Sequence, residues 1–403
     1  MKKQFKAIAS LALALVLVLG LAACAGGGDT GGTGTQGSAG GDSDTPPAAT
    51  SGEVLILGNP QPLSGINAQV GRATTQAIEL AVEHINENGG FNGVPLRLIN
   101  YDDENSPEVA VRVAQMMLQQ DNVDLIIGTL LSSNLMATGD MFEEAGILTI
   151  GNGNGPSFME QGWEFMFRAG PNLGFAMPTV AQMMQDEGFQ RVAVIHGLDD
   201  ATRSSAEAFF DNAARLGLEI VATEQYVDGD ADFAGQIVTM LNANPDAILI
   251  SANGPTFPLI TRQLRLMDWD GPIFNREAPP ADAVEVAGDA IEGVIFVYPY
   301  ITYEYPEQSD DPVMVEFLQK FYEFHGEMPF HDCAFRAWDA MMAMWEASRI
   351  AGANDSESLR QAMHQVQFRG LGGDLDFTNG DGEGRPTFRA WVMRDGRPVP
   401  FGS

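Results

Sequence analysis

The chain is poor in cysteine, in lysine and in long apolar runs, and each shortage removes a class of function. Two cysteines, Cys24 and Cys333, stand among 403 residues, which excludes a disulfide scaffold and a four-cysteine zinc site. Of four lysines, three (Lys2, Lys3, Lys6) open the chain and only Lys320 lies beyond. Basic residues number 22 against 54 acidic ones, a formal net charge of −32, so the surface repels nucleic acid and anionic lipid. No run after residue 23 approaches the roughly 18 apolar residues that would span a bilayer. The sequence contains no HExxH, no Gly-x-Ser-x-Gly elbow and no Gly-Lys-Ser/Thr phosphate loop, and no cofactor or resident metal is implied. What remains is 45% hydrophobic, a globular composition.

Residues 1–23 carry the three early lysines, an apolar stretch over 7–22 and the box Leu21-Ala22-Ala23-Cys24. This looks like a lipoprotein signal peptide, cut before Cys24, which then carries the lipid. Residues 25–51 hold nine glycines and no aromatic or basic residue, too little apolar surface to offset the entropy of ordering, and read with Cys24 as a flexible tether over 24–51.

From Glu53 onward, short apolar runs alternate with segments of helical period. The first series is 54–57, helix 71–86, 96–101, helix 107–119, 124–128, helix 133–145 and 147–150. After 165–168 a second begins: helix 173–187, 191–196, helix 203–216, 219–226, helix 233–243, 246–251, helix 256–267 and 272–274. Strand 294–298, helices 312–325, 332–351 and 356–366, and short apolar runs at 375–377 and 388–393 follow. Such alternation predicts an α/β chain with two doubly wound lobes built on parallel sheets.

Ligands of open parallel sheets sit beyond the carboxyl ends of the strands. Two loops there suit an anion: Leu131-Ser132-Ser133-Asn134, which opens a helix, and the glycine-rich 151–155. A helix start offers unpaired N–H groups and glycine permits close approach, although N-capping and a tight turn explain the same residues. Gly151-x-Gly153 begins a dinucleotide fingerprint, but Pro156 stands where the third glycine belongs. Asp228-Gly229-Asp230-Ala231-Asp232 imitates a calcium loop, yet Phe233 and Thr239 replace its glycine and glutamate. His331-Asp332-Cys333, alone or with His325, offers a thiol and base or a metal site. It opens a helix on which adjacent residues should not face one another, so Cys333 reads as a buried small hydrophobe.

The ordered series Pro62-Leu63-Ser64-Gly65 with Gly71, 81–90 (AVEHINENGG) with Gly93, Tyr101-Asp102-Asp103 with Pro107, Ile126-Ile127-Gly128 with Ser132-Ser133, 144–148 (EAGIL), and 287–290 (AGDA) with Glu292-Gly293 resembles the branched-chain amino acid binding proteins. These are type I solute-binding receptors of ABC transporters, and the likeness spans 53–398. It implies two lobes joined by three crossover strands, near 168–172, 298–303 and 368–380, with lobe 1 at 52–170 plus 300–370 and lobe 2 at 171–299 plus 371–403. It implies that Ser132, Ser133 and the loop Gly153-Asn154 hold a ligand carboxylate and that Glu277 takes the ammonium. The family's pocket aromatics are replaced here by Val70, Ala201 and Asn253, its Ala-Thr pair by Gly153-Asn154, and its first-lobe disulfide by Asn105 and Leu131. Arg276 either pairs with Glu277, meets a second acidic group of the ligand, or is a solvated surface arginine.

The expectation is an extracytoplasmic receptor, lipid-anchored to the membrane through Cys24, that passes an amino acid or amino-acid-like molecule to an ABC permease without chemistry and without nucleic acid. The alternatives are a sensor of the same fold or, less favoured, a Cys or Ser hydrolase.

Overall fold

The computed structural model describes residues 54–402. The signal peptide, Cys24 and the tether lie outside the described residues. Five strands form a first sheet: β1 (Leu55–Gln61), β2 (Leu96–Asp102), β3 (Leu125–Ile127), β4 (Thr149–Ile150) and β5 (Met166–Phe167), in the order β2-β1-β3-β4-β5 and parallel throughout. The second sheet takes β6 (Arg191–Gly197), β7 (Glu219–Tyr226), β8 (Ala247–Ser251), β9 (Ile273–Asn275) and β10 (Ile295–Tyr298) as parallel strands. Every residue of β8 is buried, as helices on both faces require.

A hairpin, β11 (Gln367–Gly370) with β12 (Gly373–Asp376), stands apart from both sheets. β13 (Arg389–Arg394) and β14 (Arg397–Pro400) then extend the second sheet antiparallel at its edge. That antiparallel edge adds to the parallel sheet expected of the lobe. Its turn is Asp395-Gly396, with φ of 50° and 70°, a left-handed pair that matches strand twist in a two-residue hairpin.

The chain passes between the sheets three times. After β5 it enters helix Leu173–Asp186, which packs on helix Asp200–Leu216 and on β10. After β10 it returns in helix Cys333–Ala351, which lies against helix Ala68–Glu87 beside the first sheet. After β12 it goes back to β13. Helix Asp200–Leu216 begins three residues earlier than its apolar period indicates, because the Asp199 carboxylate caps it by accepting from the Thr202 N–H at 3.2 Å.

Two buried polar clusters clamp these connections. Arg168 forms a two-pronged pair with Glu383, its Nε donating at 2.8 Å, while Asn172 donates to the same carboxylate at 2.7 Å. Asp339 accepts from the Leu371 and Gly372 N–H groups at 2.8 and 3.1 Å and from the Tyr300 hydroxyl at 3.2 Å. Burial pushes its carboxyl up to about 7 against those donors.

Candidate functional site

Loops leaving the carboxyl ends of both sheets meet in a polar pocket, together with the first turn of helix Cys333–Ala351. Val70, Ser132 and Asn154 line it from one wall, Ala201, Asn253, Arg276 and Glu277 from the other, and His331, Cys333 and Arg336 from the helix start. The open space between them is about 30 Å³, roughly one water molecule's share of liquid volume. A wider groove of about 940 Å³ lies between the same halves, but exposed side chains such as Gln69, Arg72 and Glu327 wall it and none of the expected site residues reaches it.

The walls touch. Asn154 Nδ2 donates to Glu277 Oε2 at 2.6 Å, and Arg276 Nη1 donates to Asn154 Oδ1 at 3.0 Å. Ser157 donates to Asp200 beside them. Glycine makes the approach possible: a Cβ on Gly155 would lie 2.8 Å from Ala201 Cα, and one on Gly153 would lie 2.6 Å from Ser132 Oγ. Gly153 therefore packs behind Ser132 and does not line the pocket. Ser133 does not line it either, since the helix Ser132–Ala145 turns it aside. The Ser132 hydroxyl accepts the Gly155 N–H at 3.1 Å, so it braces the neighbouring loop.

Arg276 is 1% exposed, which overturns its reading as a solvated surface arginine. Its Nη2 donates to Asn253 Oδ1 at 2.6 Å and lies 3.2 Å from Glu277 Oε2, while Nε donates to the Ala252 carbonyl at 3.2 Å. Asp228 is within its field. Burial and the Asp199 carboxylate push the Asp228 carboxyl up to about 6, with Arg276 opposing.

The third wall corrects a second expectation. His331 precedes the helix and Asp332 is its N-cap, so His331 does face Cys333: its Nδ1 lies 3.0 Å from the sulfur and 2.9 Å from Asp332 Oδ1. Arg336, one turn on, donates through Nη2 to the same sulfur at 2.6 Å and holds Nε 3.5 Å from Asp332 Oδ2. Cys333 is buried and does touch Val70 and Leu130, but its sulfur is a polar partner as well as a small hydrophobe. Burial acts to lower the His331 pKa, yet the Cys333 sulfur and the Asp332 carboxylate overcome it and raise it well above the ordinary value. Arg336 and His331 in turn hold the Asp332 carboxyl below its usual range despite burial. His331, Asp332 and Cys333 bring ligating atoms within 4.8 Å of one another, but a cation there would meet the Arg336 guanidinium already on the sulfur. Sequence reasoning passed over Arg336, although its spacing of three from Cys333 and four from Asp332 places all three on one helical face.

A family model described as periplasmic binding protein matches residues 56–396. The chain belongs to the periplasmic binding protein family. A Leu/Ile/Val-binding protein homolog of Brucella abortus (strain 2308) is 25% identical over 350 residues, which are 84% of this chain and 89% of the relative. The crystal structure of a leucine binding protein from Thermotoga maritima matches with a TM-score of 0.75 at 24% identity, covering 86% of this chain and 97% of that one. A type 1 periplasmic binding protein from Bordetella pertussis Tohama I matches with a TM-score of 0.77 at 20% identity, over 87% and 100%. This periplasmic binding protein thus has the type I fold expected of it, and its family is one of binding proteins.

Proposed function

We propose that this protein is an extracytoplasmic receptor that captures an amino acid or amino-acid-like molecule in the cleft and delivers it to an ABC permease without altering it. The observation that carries the reading is the direct hydrogen bonding of Asn154 on one wall to Glu277 and Arg276 on the other, at the carboxyl ends of both sheets. Groups that meet across a cleft can grip one solute together when the cleft closes on it. With about 30 Å³ between them, far below the roughly 300 to 1,000 Å³ of drug-sized pockets, the walls must part to admit a solute and shut again to hold it.

In this reading Ser132 and Asn154 hold the ligand carboxylate end, Glu277 takes an ammonium, and Val70, Ala201 and Asn253 shape the remainder. Ser133 and Gly153 contribute indirectly by shaping the loops that carry Ser132 and Asn154. The lobes comprise 52–170 with 300–370 and 171–299 with 371–403, and a lipid on Cys24 tethers them to the membrane. The curated relative named above is a Leu/Ile/Val-binding homolog, which supports an amino-acid-like solute. The closeness of His331 and Cys333 favours a thiol hydrolase as the second reading, because a thiol and an imidazole in hydrogen-bond reach are its minimum. Mass spectrometry of the solute that co-purifies, followed by solution scattering, tests both. A receptor returns the solute intact and shrinks its radius of gyration on saturation. Turnover of the solute would support the hydrolase, and no solute with an unchanged scattering profile would refute the receptor.

A further inference from the structure

The side chains that line the pocket leave donors, and no acceptors, without a hydrogen bond. Among its lining side chains, the buried polar atoms without a hydrogen-bond partner are Arg336 Nε and Nη1, His331 Nε2 and Asn253 Nδ2. Nε of Arg336 has the Asp332 carboxylate 3.5 Å away, whereas Nη1 has no partner. His331 Nδ1 lies 2.9 Å from Asp332 Oδ1 and 3.0 Å from the Cys333 sulfur, surroundings that raise its pKa and favour the charged ring, in which Nε2 is a donor too. The side-chain acceptors that line the pocket are engaged: Asn154 Oδ1 and Asn253 Oδ1 take Arg276, Glu277 Oε2 takes Asn154, and Ser132 Oγ takes Gly155. Behind the lining, neither Asp332 oxygen has a hydrogen bond, but Oδ1 lies 2.9 Å from His331 Nδ1 and Oδ2 3.5 Å from Arg336 Nε, on the sides of those groups that face away from Nε2 and Nη1 in the bonding pattern. Arg336 and His331 side chains are each 3% exposed, and buried donors cost free energy until an acceptor meets them.

This pattern selects among solutes and deepens the receptor reading, on which it rests. We propose that a carboxylate of the solute, in addition to any held by Ser132 and Asn154, docks on Arg336 Nη1, His331 Nε2 and Asn253 Nδ2, so that the receptor prefers an acid of net negative charge to a neutral zwitterion such as leucine. A carboxylate offers two oxygens with about four lone-pair sites, enough for three donors, and its bonds to a guanidinium and an imidazolium are charge-assisted. An ammonium would add donors to a wall that already has too many and set a third cation beside two. Arg276 does not compete for the acid, because its Nε, Nη1 and Nη2 already donate to the Ala252 carbonyl, Asn154 and Asn253, and Glu277 lies against it. Asn253 belongs to the second wall and Arg336 to the helix beside the first sheet, so the acid would also draw the cleft shut. An acidic amino acid and a keto acid share this chemistry, and the ammonium at Glu277 separates them.

Calorimetric titration of the purified protein with glutamate, the keto acid of leucine, benzoate and leucine tests the proposal, beside identification of the co-purifying solute. At least one acid should bind about tenfold or more tightly than leucine, a difference of about 1.4 kcal/mol. Arg336→Gln and His331→Gln should each weaken that acid at least about tenfold. Where Arg336→Gln fails to fold, His331→Gln and Asn253→Ala carry the same comparison. Binding of leucine as tight as that of every acid, or acid affinity unchanged in the variants, would overturn the proposal and leave the receptor standing. If no probe binds, the charge of the co-purified solute decides: an acid supports the proposal and a neutral solute overturns it. Absence of both binding and any solute refutes the receptor reading itself.

Discussion

Replacing Arg276 by methionine keeps the length of the side chain, removes its charge and leaves Glu277 inside the cleft without its cation. Arg276 is 1% and Glu277 3% exposed, with Arg276 Nη2 3.2 Å from Glu277 Oε2. Three further hydrogen bonds, to Asn154, Asn253 and the Ala252 carbonyl, disappear in the same step. Removing one member of a buried, hydrogen-bonded pair costs roughly 3 to 5 kcal/mol, because the partner's charge stays desolvated. At about 2 °C per kcal/mol for a chain of this size, the unfolding midpoint should fall by roughly 6 to 10 °C. The double variant Arg276→Met with Glu277→Gln should recover most of the loss, since no lone charge remains. Differential scanning calorimetry of the wild type, both single variants and the double variant completes the cycle. A loss below about 1 kcal/mol, the level of solvent-exposed ion pairs, would refute the enclosed pair.

Glu277→Gln should weaken an amino-acid ligand by roughly 30-fold to several thousandfold, the effect of unpairing a buried charge; calorimetric affinity within about fivefold of wild type would remove Glu277 as an ammonium anchor. The folded state keeps a proton on Asp339 up to about pH 7, while an unfolded aspartate loses it near 4, so stability contributed by this group falls as pH rises through that window. Asp339→Asn should flatten the decline in a series of thermal melts, and an unaltered slope would contradict the assignment. Cys24→Ser should leave the protein unprocessed or release it from membranes on fractionation, and a variant still processed and membrane-bound would rule out lipidation there.

The order of strands and helices was legible because burial leaves a period. Stretches such as 192–195 and 247–250 are apolar throughout, and the helices between them carry one apolar face, so a doubly wound fold follows from sequence alone. The apolar run 388–393 marks one strand of the edge hairpin and Asp395-Gly396 announces its turn, as Asp199 signals the early start of the helix at Asp200. In both cases a polar turn or cap residue, outside the apolar period, set the boundary.

The site divides in the same way. Loops after β3, β4, β8 and β9 could be named as site-forming because the end of the sheet at which ligands gather follows from topology. Ser132, Asn154, Asn253 and Glu277 could be picked from those loops by residue type and resemblance. The partner of each donor and acceptor was decided only when two sheets, whose loops are tens to more than a hundred residues apart in the chain, faced one another. Asn154 meets residues 122 and 123 positions away, and no local pattern encodes such a distance. The same facing buried Arg276, turned His331 and Arg336 onto one cysteine sulfur, and left their outer N–H groups without acceptors. Local sequence set the elements through side-chain period and turn chemistry. Tertiary packing set the chemistry of the cleft, because desolvation and hydrogen-bond pairing depend on which distant groups are brought together.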